Sequence, residues 1–468
     1  MKKNYLKLMA FAFAAIVSVG FTSCGDSDGE GDSGTGPGGS EGQEVMTPAD
    51  QKEYLEKVAL EFMDQIPSSD FQNIADLAQY IGETYVDYDW DTIGDWGKDI
   101  YDGLCETIGT PTTKTEIYDW GYSSSVYNYI YTNYKATLMA SNFKGHFTAS
   151  NGRWSLKDAD DLQFIFKDKN GQQCVLKLTT SGNVKAVHMF DAEDWGKYEW
   201  DYNDNVYTNN QYIDRTQYTI GVPENVVVSL TQGGSEVLST TVKVDLSSIN
   251  SEEFDLSHNS LTVSTTTKLN NGYSFDASQV AYSANSNASA SFVMSKNGTA
   301  LVTMGAAADV RGLPNVNVSA FTSDDFDEDD YNFDNTSAKN AYVKLDIIGK
   351  VQMQGTISDV RKYADYIEKA DDNDGNEATF KSYINQANGL TDINLFYNGT
   401  SVKQANMMLE PFASETWNGR TRWESELVIK FYDGSSYSTF EAFFNEKDFK
   451  KTIDAFKSLT EKYADLVD

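Results

Sequence analysis

The chain has 468 residues, of which 40% are hydrophobic and 13% aromatic, a composition that predicts a large folded core and argues against intrinsic disorder. Its formal net charge of −33 at pH 7 argues against nucleic acid and anionic lipid headgroups as partners, because both require a basic surface. The seven prolines are too few for a collagen-like or mucin-like stalk.

The N-terminus has the parts of an export signal. A start with three lysines is followed by an apolar run over residues 8–21 and then by two small residues before Cys24. The apolar run is short for a membrane-spanning helix, which needs about 20 residues. The order Phe21-Thr22-Ser23-Cys24 is typical of a lipobox, in which the cysteine is acylated. We expect residues 1–23 to be a signal peptide and Cys24 to be the lipidation site; the alternative is an ordinary signal peptide with a chance cysteine.

Residues 24–45 follow as an acidic stretch rich in glycine and serine, which cannot bury apolar surface and predicts a flexible tether. The anchor and this acidic segment together resemble the surface-export signal of Bacteroidetes-type lipoproteins. The resemblance covers residues 1–35 and implies a protein held on the outer membrane by its lipid and facing outward; the periplasmic face is the alternative. Beyond the anchor, the chain resembles lipoproteins of the same group whose activity is undefined, so this resemblance implies no activity.

The rest of the chain, residues 46–468, predicts one large domain or two closely packed ones. Residues 46–125 are predicted to be helices and loops. The first helix is expected over residues 47–66, because Thr47 can cap it and an apolar stripe that includes Leu55 and Val58 runs along it.

Residues 126–355 change to a hydrophobic period of two, which predicts antiparallel strands with one wet and one dry face. The Asn170-Gly171 dipeptide between two alternating runs indicates a hairpin turn. The alternating run from Val343 to Met353 is interpreted as one strand, with Gly349 as a possible bulge. Further turn signals lie at residues 233–234, 271–272, 297–298, 398–399 and 433–434.

Residues 356–390 predict a pair of helices, and residues 391–468 predict hairpins followed by a C-terminal helix. A sheet with one dry face must be covered by other elements, and the amphipathic helices are the available cover. The expected fold class is therefore α+β: a large, curved antiparallel β-sheet with helices from the N-terminal, late-middle and C-terminal segments packed on its apolar face.

No catalytic motif is present. The three histidines, His146, His188 and His258, stand outside any hydrolase or zinc pattern, so no catalytic residue is assigned and a non-enzymatic role is favoured. Cys105 and Cys174 either pair or remain free, and Cys174 alternates with leucines on a predicted strand, which suits a buried thiol equally well.

An acidic run over residues 324–334 is a candidate site for a hard cation such as calcium, with Asp325, Asp327 and Asp329 as the candidate ligands. The alternative is a solvated run of charges, which this composition favours. No other cofactor is expected.

Clusters of aromatic and acidic residues are the sharpest functional feature. Sugar rings stack on tryptophan and tyrosine while carboxylates accept hydrogen bonds from hydroxyl groups, so such clusters suit glycan binding. The alternative is that the rings pack helices onto the sheet. The residues predicted to bind a ligand are Tyr88, Trp90, Trp96, Trp120, Trp195, Tyr198 and Trp200.

Three functions are consistent with the sequence. The first is a non-enzymatic surface protein that binds a glycan or an envelope protein. The second is a carrier of lipid or another apolar ligand, with the dry face of a half-barrel sheet lining a cavity. The third, a hydrolase, lacks the expected motifs. Whether the dry face is filled by the chain's own helices distinguishes the first two.

Overall fold

The computed structural model describes residues 45–85, 88–119, 124–203, 206–249, 259–283, 286–311, 339–417, 420–435, 438–445 and 447–464. Cys24, the tether and the acidic run at 324–334 lie outside the described residues. The chain is 26% helical and 54% strand, which confirms the α+β fold class. None of the helices in the described ranges is long and apolar enough to cross a membrane.

The helices are α1 (Pro48–Gln65), α2 (Gln72–Tyr85), α3 (Asp91–Leu104), α4 (Val360–Asp371), α5 (Glu377–Asn388), α6 (Phe440–Phe443) and α7 (Lys450–Ala464). The first half of the strands comprises β1 (Cys105–Thr107), β2 (Thr112–Asp119), β3 (Ser124–Met139), β4 (Gly145–Ser150), β5 (Arg153–Lys157), β6 (Leu162–Lys167), β7 (Gln173–Asn203), β8 (Val206–Gln232) and β9 (Ser235–Asp245). The second half comprises β10 (Leu261–Leu269), β11 (Tyr273–Tyr282), β12 (Asn287–Lys296), β13 (Thr299–Asp309), β14 (Lys339–Ile347), β15 (Val351–Asp359), β16 (Thr391–Tyr397), β17 (Ala405–Trp417), β18 (Arg420–Phe431) and β19 (Ser438–Thr439).

The chain forms two compact units. One is continuous in sequence, Tyr80–Asp255, and is called the inserted unit. The other combines Met1–Gln79 with Leu256–Asp468 and is called the discontinuous unit.

The discontinuous unit is an antiparallel meander in which each strand from β10 to β18 pairs with the next. Leu345, Met353 and Ile429 form part of the apolar face of its later strands, and Val58 of α1 and Ile453 of α7 are buried against them. Helices α4 and α5 cover the neighbouring part of the sheet through side chains such as those of Tyr363 and Phe380. The predicted cover of N-terminal, late-middle and C-terminal helices is confirmed.

Helix α1 begins as predicted and is fixed to the sheet by buried polar groups. The Thr47 hydroxyl accepts a hydrogen bond from the Asp50 amide at 3.3 Å. Gln51, which is fully buried, donates to the Gln404 carbonyl at 3.3 Å and accepts from the Tyr397 hydroxyl at 2.9 Å. Because the buried amide is hydrogen-bonded on both sides, its desolvation is compensated while it sets the position of the helix.

The interpretation of residues 343–353 as one strand is wrong. Strands β14 and β15 form a tight hairpin in which Ile347 pairs with Val351, and Ile348 and Gly349 have φ values of 46° and 68°. Odd-numbered residues pair with odd-numbered residues across this turn, so one set of apolar side chains stays on one face. A hairpin with this register therefore shows the same alternation of apolar and polar residues along the sequence as one continuous strand.

The inserted unit contains a mixed sheet, which corrects the expectation of purely antiparallel strands. β3 runs parallel to β8 over residues 125–139, and β4 runs parallel to β6. Strands β1 and β2 lie within residues 46–125, which were predicted to be helices and loops. In β2, threonines alternate with charged residues, and without apolar periodicity the strand gave no signal; threonine nevertheless favours extended backbone.

Candidate functional site

Four tyrosines lie on one face of the β2–β3 ribbon in the inserted unit. Tyr127, Tyr129 and Tyr131 are spaced by two along β3, so their side chains project to the same side. Tyr118 of β2 joins them, with its ring centroid 5.3 Å from that of Tyr127. We call Tyr118, Tyr127, Tyr129 and Tyr131 the tyrosine face.

The rings of the tyrosine face remain accessible. Tyr118 is 42% exposed, and the three tyrosines of β3 are partly exposed. Tyr129 and Tyr131 are stacked, with centroids 6.4 Å apart and planes inclined by 23°. Ile213 of β8 pairs with Tyr131, so its side chain points to the same face, and it is buried, which means that this face is covered where β3 meets β8. The aromatic row is therefore covered on its β8 side and most accessible on its β2 side.

A charged pair lies beside the middle of the tyrosine face, because Lys114 is opposite Tyr129 and Glu116 is opposite Tyr127 across the ribbon. Lys114 and Glu116 of β2 form an ion pair at 2.5 Å, and the Tyr118 hydroxyl donates to the Glu116 carboxylate at 2.6 Å. The hydrogen bond from Lys114 lowers the pKa of Glu116, while the bond to Glu116 raises the pKa of Tyr118. At neutral pH the site thus presents an ionised acceptor beside a protonated phenol donor.

The Tyr131 end of the tyrosine face carries an arginine. The Arg215 guanidinium lies 4.2 Å from the centre of the Tyr131 ring, and its Nε donates to the Glu193 carboxylate at 2.7 Å. Arg215 and Glu193 contribute to an open groove of about 490 Å³, whose wall also includes Asn133 and Asp191. Donors and acceptors therefore continue from the aromatic row into a concave surface.

Tyr88 and Trp90, predicted to bind a ligand, lie together around Trp154. Their ring centroids are 6.2 Å and 5.7 Å from that of Trp154, which is 4% exposed. Trp90 itself is 46% exposed, whereas Tyr88 is partly covered. This cluster therefore extends from the buried Trp154 to the surface, where the indole of Trp90 is accessible.

Trp96 serves packing. Its ring centroid lies 5.0 Å from that of Phe147, which is fully buried, and 5.8 Å from that of Phe143. Its indole N–H donates to the Lys144 carbonyl at 3.0 Å. These contacts fasten α3 onto the β4 region, in accordance with the packing alternative for this tryptophan.

Strand β7 carries three of the residues predicted to bind a ligand, and its backbone is separated from that of β3 by β8. Trp195 pairs with Ile213 of β8, and Ile213 pairs in turn with Tyr131 of β3. Tyr198 and Trp200 pair with Gln211 and Asn209 of β8, and the side chains of these three β7 residues lie outside the described set. Trp120 and the candidate calcium ligands Asp325, Asp327 and Asp329 lie outside the described residues altogether.

No metal-binding group of three or more side chains occurs within the described ranges. His146 lies 2.6 Å from Asp161, which also accepts a hydrogen bond from Lys177 at 2.7 Å. This histidine therefore belongs to a polar cluster that joins β4, β7 and the residue just before β6. Cys105 and Cys174 are both free thiols. Burial raises the pKa of the Cys174 thiol, as expected for a cysteine that serves packing.

The residues predicted from the sequence to bind a ligand are five tryptophans with Tyr88 and Tyr198, and they do not include the tyrosine face. The signal was present, since Tyr127, Tyr129 and Tyr131 alternate where the hydrophobic period changes to two. Comparison with known proteins gave no match to a protein-family model, a curated protein or a solved structure.

Proposed function

We propose that this protein is a lipid-anchored binding protein of the outer membrane that holds a glycan on its tyrosine face and performs no catalysis. The observation that carries the proposal is the row of four tyrosines, at least partly exposed, on one face of the β2–β3 ribbon, with one ion pair beside Tyr127 and Tyr129 and a second at Tyr131. Tyrosine rings stack on the C–H faces of sugars, and the flanking carboxylates accept hydrogen bonds from sugar hydroxyls.

The charge of the chain favours a neutral glycan. With a formal net charge of −33, the protein repels polyanions at long range. Lys114 and Arg215 are each paired with a carboxylate, so the positive charge beside the tyrosine face is largely compensated. The ligand class that suits this surface is an uncharged saccharide several rings long.

The packing of the discontinuous unit weighs against the carrier alternative. A carrier needs an apolar cavity, whereas helices α1 and α7 fill the apolar face of β14–β18 with side chains such as those of Leu55 and Ile453. The groove beside the tyrosine face is lined by polar groups as well as apolar ones. A surface that binds hydroxyl-rich ligands fits these features better than a lipid pocket does.

The binding test uses the whole chain, extracted from membranes in a detergent without a sugar headgroup and screened on a glycan array. The best-bound glycan is then titrated by calorimetry. Loss of one stacking ring in Tyr129→Ala should weaken binding by about 1–3 kcal/mol, whereas Tyr129→Phe keeps the ring and most of the affinity. Tyr342→Ala is the matched control, since it removes a tyrosine that is 38% exposed from the other unit.

Two results would overturn the glycan proposal. One is an array on which no saccharide binds while an envelope protein captures the chain. The other is a glycan whose affinity is unchanged in both Tyr129→Ala and Tyr131→Ala, because then the tyrosine face is not the contact surface.

The anchor is tested separately. Cys24→Ser should abolish labelling by palmitate and release the chain from membranes, because the acyl chains supply the attachment. Protease added to whole cells should remove the protein if it faces outward. Continued labelling of the variant would contradict the anchor, and full protection in intact cells would place the protein on the periplasmic face.

A further inference from the structure

Strand β2 has an open outer edge. Among the described residues it pairs only with β3, over residues 112–119. Every residue of β2 except Glu116 is exposed, and Ile117 is 69% exposed. The unpaired backbone N–H and C=O groups of such an edge form a template for a further strand.

The sequence of β2 is complementary to itself in the antiparallel direction. When two copies are aligned about Thr115, Lys114 of one copy lies directly opposite Glu116 of the other, and two-fold symmetry repeats the contact. Thr113 then lies opposite Ile117, so the exposed Ile117 side chain of each copy gains the threonine methyl group as a neighbour. Opposite charges directly across an antiparallel pair stabilise it, whereas like charges destabilise it.

The side chains of Lys114 and Glu116 are exposed enough to exchange their present ion pair for ion pairs with a second copy. The Lys114 side chain is 63% exposed and that of Glu116 is 32% exposed, and their present ion pair lies within the strand on the open face. We propose that two copies of this protein associate edge to edge through β2, as an antiparallel pair centred on Thr115.

The association would join two tyrosine faces into one. Lys114, Glu116 and Tyr118 project to the same side as Tyr129, and their counterparts in the second copy continue that side across the symmetry axis. The inference rests on the edge and its charges and does not depend on the glycan proposal.

A cysteine cross-link in membranes tests the register with the whole chain. In Thr115→Cys the two new thiols lie opposite each other, within the Cα separation of about 4.4–6.8 Å that a disulfide spans. Mild oxidation should give a covalent dimer on a non-reducing gel. In Thr113→Cys the symmetry-related thiols are separated by about four residues of strand, or roughly 13 Å, so no dimer should form. The unsubstituted chain controls for the native cysteines.

Charge reversal tests the complementarity. In the Thr115→Cys background, Lys114→Glu or Glu116→Lys alone should reduce the cross-link about tenfold, because both symmetric contacts become repulsive. Co-expression of the two reversed chains should restore a mixed dimer, since each Glu then faces a Lys. This rescue also demonstrates that both variants fold.

The proposal is overturned if Thr115→Cys gives no more dimer than the unsubstituted chain. It is also overturned if the Thr113→Cys chain cross-links equally well, or if charge reversal changes nothing. A covalent adduct at Thr115→Cys with a different protein would assign the edge to another partner and contradict association of two copies.

Discussion

The apolar face of the sheet in the discontinuous unit is covered by helices, whereas the β2–β3 ribbon of the inserted unit leaves side chains exposed. On β14–β18, apolar side chains such as Leu345 and Ile429 are buried beneath helices. On β2 and β3, the outward side chains are tyrosines, lysines and glutamates that remain at least partly exposed. Both regions use the same period of two, so the difference lies in residue type and cover.

This contrast indicates a division of roles. A face sealed by the chain's own helices contributes free energy of folding and leaves no room for a ligand. A face of exposed amphipathic rings contributes less to folding and offers contact area to a partner. Substitutions on the two faces should therefore separate stability from binding.

The largest effect is expected on the covered face. Phe380 of α5 is fully buried and packs with Ala370 and Ile384. Phe380→Ala should lower the free energy of unfolding by about 3–5 kcal/mol, because it removes a buried ring and leaves a cavity. Urea denaturation measures this change. Asn385→Ala, at an exposed position of the same helix, should change the free energy by less than about 0.5 kcal/mol; comparable effects of the two would refute the packing.

A smaller, pH-dependent effect is expected at the polar cluster of the inserted unit. Hydrogen bonds from Lys177, Gln163 and His146 lower the pKa of the Asp161 carboxyl. Because the folded-state pKa lies below the unfolded value of about 3.9, the carboxylate stabilises the fold above that pH. This stabilisation is lost as the pH falls through the lowered pKa.

Asp161→Asn should therefore unfold more readily at pH 7 and show a shallower loss of stability below about pH 4 than the native chain. Asp160→Asn, at an exposed neighbouring position, serves as the control and should keep the native pH profile. Parallel pH profiles for the native chain and Asp161→Asn would mean that the cluster does not fix the carboxylate.

Sequence periodicity identified elements better than it identified their connections. The cap at Thr47 and the stripe containing Leu55 and Val58 located α1 correctly, because these signals are local. The hairpin at Ile348-Gly349 was missed because its register keeps odd-numbered side chains on one face. The parallel pairing of β3 with β8 was missed because four strands intervene in the chain, and alternation carries no information about partners.

The candidate site was only partly predictable for a related reason. Residue type drew attention to Trp96, but its role depends on Phe143 and Phe147, which are about 50 residues away in the chain. For the tyrosines of β3, the sequence shows the spacing of the residues but does not show that their rings are exposed to solvent. Burial is a property of the three-dimensional neighbours, which the local pattern does not contain.

A thermal melt with and without the glycan tests the central claim most directly, on Trp96→Ala and Tyr129→Ala side by side. A ligand that binds only the folded state raises the melting temperature, so one assay reports stability and binding together. Tyr129→Ala should have the same melting temperature as the native chain without the glycan and should lose the increase that the glycan causes. Trp96→Ala should melt lower and keep that shift. A Tyr129→Ala variant that retains the full shift, or a Trp96→Ala variant that loses the shift without melting lower, would contradict the assignment of binding to the tyrosine face.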